Sequence, residues 1–325
     1  MDRAELALFD RTLRGATEAH SGAALDAALV ELGWHEALVD DRPAAVSLLF
    51  EHQGRTAVTS GALDDVVARA LGTDTACAVV LPALGRAEPP AHEDSGGVIV
   101  DGLGTPRLLR TDTALVAVRR DGDGDGDGDE GEAVAVVKTA DLACRPVRGM
   151  DPDLGLVEVT GAPTAAAVTP IDPDRWDGAV TGARLALGHE LVGASAAMLE
   201  LARVHALNRI QFGRPISAFQ AVRHRLADSL VALESAHALL EAAWLDGSSE
   251  TAAMAKALAG RSARLVAGHC QQVLAGMGFT TEHPLHRYVR RVLVLDELFG
   301  SARSLTDALG RDVLSRRRLP PPLPL

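Results

Sequence analysis

Aromatic side chains are scarce in this chain, with six Phe, three Trp and one Tyr among 325 residues. A buried core must therefore be assembled from Ala, Leu and Val. Three cysteines, Cys77, Cys144 and Cys270, share no motif and are odd in number. That argues against a disulfide framework and predicts a reducing, cytoplasmic setting. No apolar run approaches the roughly 20 residues of a membrane span. The opening MDRAELALFDRTLRG lacks the charged-then-apolar order of a signal peptide, so no membrane is expected as a partner. Basic charge is also short, with 32 Lys and Arg against 44 Asp and Glu, and only Lys138 and Lys256 are lysine. A net charge of −12 leaves no basic footprint for nucleic acid.

More than half of that charge sits in one run. Asp121 to Glu132 alternates Asp and Gly and carries seven acids, so the other 313 residues hold only −5. Counted from Asp121, acids fall at positions one, three, five, seven, nine and twelve, with Gly126 at six, which is the spacing of a calcium loop. Such a loop needs helices on both sides, and these flanks read as strands. The run therefore reads as the solvated tip of a hairpin joining ALVAVRR to AVAVVK.

Periodicity divides the chain into an α+β arrangement. LALFDRTL, GAALDAALVELGW and GALDDVVARAL repeat apolar residues at helical spacing, with breaks at Ser21-Gly22 and Asp41-Arg42-Pro43, and predict a helical domain over 1–75. CAVVLPAL, GGVIVDG, RLLR, ALVAVRR, AVAVVK and GLVEVTG are short Val-rich or Leu-rich runs that predict strands, and a small β domain over 76–176. Helical spacing returns over 177–315, predicting a four-helix bundle. Between Ser217 and Trp244 an apolar stripe of Phe219, Val222, Leu226, Leu230, Leu233, Leu240 and Trp244 faces away from Arg223, Asp228 and Glu234. The Pro-rich end, 316–325, cannot continue a helix and is expected to be disordered.

Generic site motifs are missing. His189-Glu190 lacks the second histidine of a zinc helix, and His283 and His286 have no further ligands near them. Gly102-Leu-Gly104 and Gly276-Met-Gly278 lack the third glycine of a dinucleotide fingerprint. No G-x-S-x-G elbow is present.

Two C-terminal stretches are more specific. Arg209-Ile-Gln-Phe-Gly-Arg-Pro-Ile-Ser-Ala-Phe-Gln220 and the residues that follow it to Asp228 resemble the arginine–phenylalanine–glycine segment of acyl-CoA dehydrogenases. Gln272-Val-Leu-Ala-Gly-Met-Gly278 and its continuation to Arg291 resemble the second flavin segment of that family, in the right order. Leu32-Gly-Trp-His-Glu-Ala-Leu38 stands where the family has its opening helical domain. The resemblance implies FAD as cofactor. Arg209 would reach a pyrophosphate, as a fixed guanidinium suits phosphate oxygens better than an ammonium does. Phe212 would pack on the cofactor, with Gln211, Ile216 and Ser301 beside it. Gln220 and Gln272 would hold the adenine end, while Gly276 and Gly278 let the backbone approach. The flavin of this family lies across a subunit interface, so these groups would serve a partner's FAD.

The resemblance is incomplete where the chemistry is done. The reaction removes a proton α to a thioester carbonyl while a hydride leaves the β carbon, and it needs a carboxylate base. The position that carries the glutamate in most relatives reads Leu298-Phe299-Gly300-Ser301. The alternative position stands beside Arg184, which matches a substrate-contacting arginine, and is Ala183. Glu190, about two turns further on, is the nearest substitute. The flavin wall is reduced to Leu84-Gly-Arg-Ala-Glu-Pro-Pro90. Retained cofactor residues beside a lost base imply the smaller chain of an α2β2 acyl-CoA dehydrogenase, of the kind that desaturates steroid side-chain CoA thioesters and passes electrons to an external acceptor. Two other readings stay open: a self-sufficient enzyme using Glu190, and a structural subunit that binds no flavin. Replacing residues 121–130 with a short Gly-Ser turn should move stability by less than about 0.5 kcal/mol. Calcium should leave the unfolding midpoint of the parent chain where it was, and a calcium-dependent rise would restore the metal reading.

Overall fold

The computed structural model describes residues 1–73, 77–94, 97–120, 131–163, 168–172 and 174–317. Five helices open the chain: α1 (Arg3–Ala19), α2 (Ala23–Glu31), α3 (Trp34–Asp40), α4 (Arg42–Thr56) and α5 (Ala62–Ala70). Asp2 caps α1 by accepting from the N–H groups of Ala4 and Glu5, while the Glu5 carboxylate accepts from the Asp2 N–H. The break at Asp41-Arg42-Pro43 separates α3 from α4. Asp41 caps α4, and Pro43 sits in the first turn, where its missing N–H has no intrahelical partner to lose. Leu13, Leu25, Leu29, Trp34, Leu49 and Phe50 form the buried core of this region.

The middle of the chain forms an eight-stranded mixed sheet. Its strands are β1 (Ala78–Pro82), β2 (Ala91–Asp94), β3 (Gly97–Gly104), β4 (Thr113–Arg120), β5 (Gly131–Lys138), β6 (Leu142–Pro146), β7 (Val157–Gly161) and β8 (Val168–Pro170). The order is β6-β7-β3-β1-β4-β5-β8, and β2 also pairs with β3 and β4. Strands β1 and β2 thus share one lane between β3 and β4. Val80 pairs with Gly104 and Val116, and Ala91 pairs with Val100 and Val118. The loop from Ala83 to Pro90 leaves that lane and returns to it. Strand alternation puts Val80, Val100, Val116 and Val118 in one core and Val79, Leu81, Leu103 and Leu115 against the helices.

One strand expectation fails. RLLR lies in a 3₁₀ turn over Pro106–Arg110, because Pro106 favours a helical start and the Thr105 hydroxyl accepts from the Arg107 N–H. Strands β4 and β5 pair antiparallel from Thr113 with Lys138 to Arg120 with Gly131. Residues 121–130 between them, 74–76 at the expected first boundary and 318–325 of the expected tail lie outside the described residues.

The C-terminal helices are α6 (Asp174–Asn208), α7 (Gln220–Asp246), α8 (Ser249–Leu274), α9 (Leu285–Glu297) and α10 (Ala302–Arg316). A short hairpin, β9 (Ile210–Gln211) with β10 (Arg214–Pro215), joins α6 to α7. Buried alanines line α6 (Ala179, Ala183, Ala186, Ala194, Ala202) and α8 (Ala252, Ala255, Ala259, Ala263). With side chains this small the axes approach closely, so a core with few rings still packs. By length and composition α6 is apolar enough to cross a membrane, but 72% of its most apolar window is buried inside the protein, as suits a core helix. The α7 stripe is only half covered: Leu233 and Leu240 are buried, while Leu230 is 49% exposed.

Glycines bring α4 against α6. A Cβ on Gly54 would lie 2.1 Å from the Glu190 carbonyl oxygen, and one on Gly193 would lie 2.1 Å from that of Glu51. Backbone cannot yield there as a side chain would. Gly193→Val should therefore cost about 1–3 kcal/mol, read as a lower urea midpoint.

Candidate functional site

The loop between α9 and α10 is held by its own carbonyl groups. Lys256 Nζ on α8 donates to Asp296 O at 3.0 Å and to Gly300 O at 3.5 Å. The Gly85 N–H donates to Glu297 O at 2.8 Å, and Arg184 Nε on α6 donates to Phe299 O at 3.1 Å. The Asp296 carboxylate accepts from Arg264 Nε at 2.8 Å and from the Ala302 N–H at 3.0 Å. Phe299 and Gly300 both take left-handed backbone angles, with φ of 55° and 97°, and the Phe299 ring is buried. Left-handed geometry is costly for Phe, and it persists because donors fix the carbonyls around it. Lys256 is wholly buried. Burial pushes its pKa down to about 8, against the pull of the Asp296 charge. Ser301 caps α10 by accepting from the Ser304 N–H.

Facing this loop, the Ala83–Pro90 segment forms the lip of a cleft of about 530 Å³ whose lining includes Arg86, Glu88, His92, Asp101 and Arg119. Trp176 Nε1 donates to Ala87 O at 3.1 Å, which ties the lip to the start of α6. Arg184 lies nearby. Burial lowers its pKa, and Asp177 and Glu88 oppose that shift. Arg184, Phe299 and Ser301 are thus gathered near the N-terminal part of α6.

The residues matched to the cofactor are gathered elsewhere. Arg209, Gln211 and Phe212 are exposed on the β9–β10 hairpin, and Phe212 is 91% exposed. Gly213 (φ 78°) and Phe212 (φ 53°) make the turn. Phe212 meets Phe219 edge-on at 6.1 Å, and the Arg214 guanidinium lies 4.4 Å from the Phe219 ring centre. The half-buried Ile216 closes the segment through its N–H to Arg209 O at 2.8 Å. Gln220 begins α7 and Gln272 sits in the last turn of α8, both exposed at one end of this antiparallel pair. Gly276 follows in an open 3₁₀ turn, where an added Cβ would meet nothing within 4 Å, whereas Gly278 packs on Gln271. Burial lowers the His205 pKa, and the fields of His283 and Arg209 lower it further. That proximity sets the 205–216 and 275–286 segments side by side.

Helix α6 keeps the two groups apart. The 24 residues from Arg184 to Asn208 span about 36 Å. Glu190 stands between them, one residue after His189, whose Nδ1 donates to Glu51 (2.9 Å) and whose Nε2 faces the Ser47 hydroxyl (2.9 Å) and accepts from Trp244 Nε1 (3.1 Å). The Glu190 carboxylate is buried and faces Arg291 Nη1 at 3.5 Å. Arg291 also donates to Asp151 and to the carbonyls of Val58 (2.9 Å) and Ala57 (3.3 Å). Burial pushes the Glu190 carboxyl up to about 7, against the pull of Arg291. A cavity of about 40 Å³ adjoins it, lined by Gln53, Leu187, Leu295 and Leu298 among others. Neither Arg291 nor Lys256 was singled out by sequence. A lysine within the alanine-rich face of α8 was the signal that could have flagged the second. Among the described residues no group of three or more His, Cys, Asp or Glu side chains could hold a metal ion.

Comparison with known proteins bears on both groups. The profile of the acyl-CoA dehydrogenase C-terminal domain matches residues 177–314. The acyl-CoA dehydrogenase IpdE2 of Mycolicibacterium smegmatis is 28% identical over 244 residues, which cover 75% of this chain and 73% of that one. The short-chain specific acyl-CoA dehydrogenase of Bos taurus mitochondria is 34% identical over 124 residues, 37% of this chain and 30% of its own. Among solved structures, the Tcur3481-Tcur3483 steroid ACAD G363A variant superposes with a TM-score of 0.79 at 20% identity, covering 97% of this chain and 98% of its own. The ChsE4-ChsE5 complex from Mycobacterium tuberculosis gives 0.78 at 21% identity, covering 99% of each. At such identities the likeness is one of fold.

The raised pKa of Glu190 gives a signed expectation. A carboxyl held near 7 in the folded chain and near 4.5 unfolded weakens folding as pH rises through that window. Glu190→Gln should remove that contribution, so its stability relative to the parent should improve from pH 4.5 to pH 8. Denaturant midpoints across the window would check it, and parallel curves would count against the shift.

Proposed function

We propose that this chain is the base-lacking chain of a heteromeric, FAD-dependent member of the acyl-CoA dehydrogenase family, whose C-terminal-domain profile matches residues 177–314. Cofactor-type residues kept at one end of α6, with Phe299 in place of a carboxylate at the other, carry this reading. Arg184 and Asn208 lie about 36 Å apart along α6, so the Arg209 hairpin and the Arg184 end sit at opposite ends of one helix.

The two ends fit a flavin differently. At the hairpin end, exposed Arg209 with Gln211, Gln220 and Gln272 offers donors for a pyrophosphate and an adenine, Phe212 and Ile216 offer apolar contact, and Gly276 leaves the backbone open. That set fits the ADP half of FAD. At the cleft end the Phe299 ring stands where a base is needed, and the Gly85–Glu297 hydrogen bond joins the walls directly. That end does not fit a complete catalytic site. When bound, FAD supplies the hydride acceptor for α,β-dehydrogenation of a thioester. The work of this chain is to bind and orient: Arg209 neutralises phosphate charge and the two glutamines fix the nucleotide, while the Ser301 hydroxyl is held in the α10 cap. The proton acceptor then comes from the other chain, in an α2β2 assembly that passes electrons to an external acceptor. Two structural neighbours are described as a steroid ACAD and as a two-chain complex, which supports a steroid side-chain CoA as the substrate class.

A second reading uses Glu190 as the base, favoured by its raised pKa. Its burial against Arg291 and the narrow cavity beside it weigh the other way. Two preparations separate these readings: this chain alone, and this chain co-expressed with an acyl-CoA dehydrogenase-like chain encoded beside it. Only the complex should be yellow and lose flavin absorbance on adding acyl-CoA. Arg209→Leu should weaken flavin retention in the complex by at least about 10-fold. Bleaching by the lone chain at full rate would sink the proposal, and its loss in Glu190→Gln with flavin still bound would establish the second reading.

A further inference from the structure

Helix α7 turns to solvent a face that carries its own complement. Arg223, Ala227, Leu230, Val231 and Glu234 follow one another there at helical spacing, and all five are exposed. Leu230 is 49% exposed and Val231 66%, so the middle of the face is apolar. Beside it, between α6 and α7, runs a groove of about 660 Å³ lined by Ala196, Leu199, Leu226 and Leu233 among others. A contiguous apolar strip rimmed by charge marks a contact site. The rim charges have no work inside the chain. Among the described residues neither Arg223 nor Glu234 makes an ion pair, and the field of Glu234 is felt at His237. Neighbouring charges are paired off: Arg203 beside the groove meets Glu200 at 2.7 Å, and His237 lies 3.3 Å from Glu51 and 3.6 Å from Glu241. Arg223 and Glu234 stand about 16 Å apart along the axis, one at each end of the strip.

Opposite charges at equal distances from an apolar centre are what a two-fold axis pairs, because an isologous contact sets one patch against its own copy. An axis passing between Asp228 and Ser229 puts Arg223 of each copy opposite Glu234 of the other. The same axis sets Leu230 against Ala227, a large side chain against a small one, and carries Val231 over Leu226 at the edge of the groove. We propose that this face of α7 is the contact between two copies of this chain, joined antiparallel. The register covers the apolar strip and leaves the two ion pairs at its rim. A foreign partner would need the strip and both charges in reverse order, and a second copy has them already. The contact does not depend on the heteromer reading, although an α2β2 assembly would hold two such copies.

Sedimentation of the lone full-length chain reads the contact directly, and the parent should be dimeric at about 50 µM. Arg223→Glu and Glu234→Arg each set like charges opposite one another at two places, so each should weaken the dimer by at least about 30-fold. Mixed in equal amounts, the two variants regain opposite charges at both places, and the mixed dimer should return to within about 3-fold of the parent affinity. Val231→Asp puts a charge into the apolar strip and should leave the chain monomeric at the same concentration. These positions are exposed, so the urea midpoints of the variants should match the parent. If either charge variant does not fold, Val231→Asp reads the same contact. A parent that sediments as a monomer overturns the proposal, as does a dimer that none of the three substitutions weakens. Weakened variants that mixing does not restore overturn it as well, and would leave the face to the co-expressed partner chain.

Discussion

Arg291 is the side chain on which the three parts of this protein converge. It lies on α9, wholly buried, and spends its donors on Asp151 between β6 and β7, on the carbonyls of Ala57 and Val58 after α4, and on Glu190 in α6. An arginine can do this because its fork of donors reaches several acceptors at fixed angles, where an ammonium would reach fewer. The arrangement leaves little tolerance. Two acids and two backbone acceptors surround one cation, and withdrawing the cation would strand all four in a dry junction. The same junction closes off Glu190, so one interaction both joins the layers and limits the reach of the nearest carboxylate.

Along α6 the geometry is set by length. A continuous run of 35 residues carries Arg184 toward one end and delivers the chain to the Arg209 hairpin at the other. Small side chains on α6, α4 and α8 let these helices lie close, which keeps much of α6 buried. Near its start the walls are locked to each other through Gly85, Glu297, Arg184 and Phe299. At its far end the residues are open, with Phe212 almost fully exposed. One end is finished and the other is offered.

Much of the fold was legible because it rests on local rules. Helical spacing in LALFDRTL and GALDDVVARAL corresponds to α1 and α5, and Val alternation in ALVAVRR and AVAVVK to a paired β4 and β5. RLLR misled because its Leu content suggested a strand, while Pro106 and Thr105 decided the backbone. The strand β2, Ala-His-Glu-Asp, carries almost no strand signal of its own and exists because β3 and β4 flank it. In the site, Arg184 and Arg209 were each readable from their segments, and their separation followed from counting residues on one helix. Lys256 and Arg291 were not readable, since their acceptors are carbonyls and acids far away in sequence.

The shared lane of β1 and β2 has a consequence for how such a chain can change. Each half of the lane is registered independently, β1 by Gly104 and Val116 and β2 by Val100 and Val118. The segment between them can therefore be shortened, lengthened or recomposed without shifting any strand by a residue. The lip of the cleft is thus held by Gly85 and Ala87 to α9 and α6, and not by the register of the sheet it hangs from. A change in the length of that segment would be felt at Glu297 and Trp176, where it is hydrogen-bonded, before it was felt in the pairing of any strand.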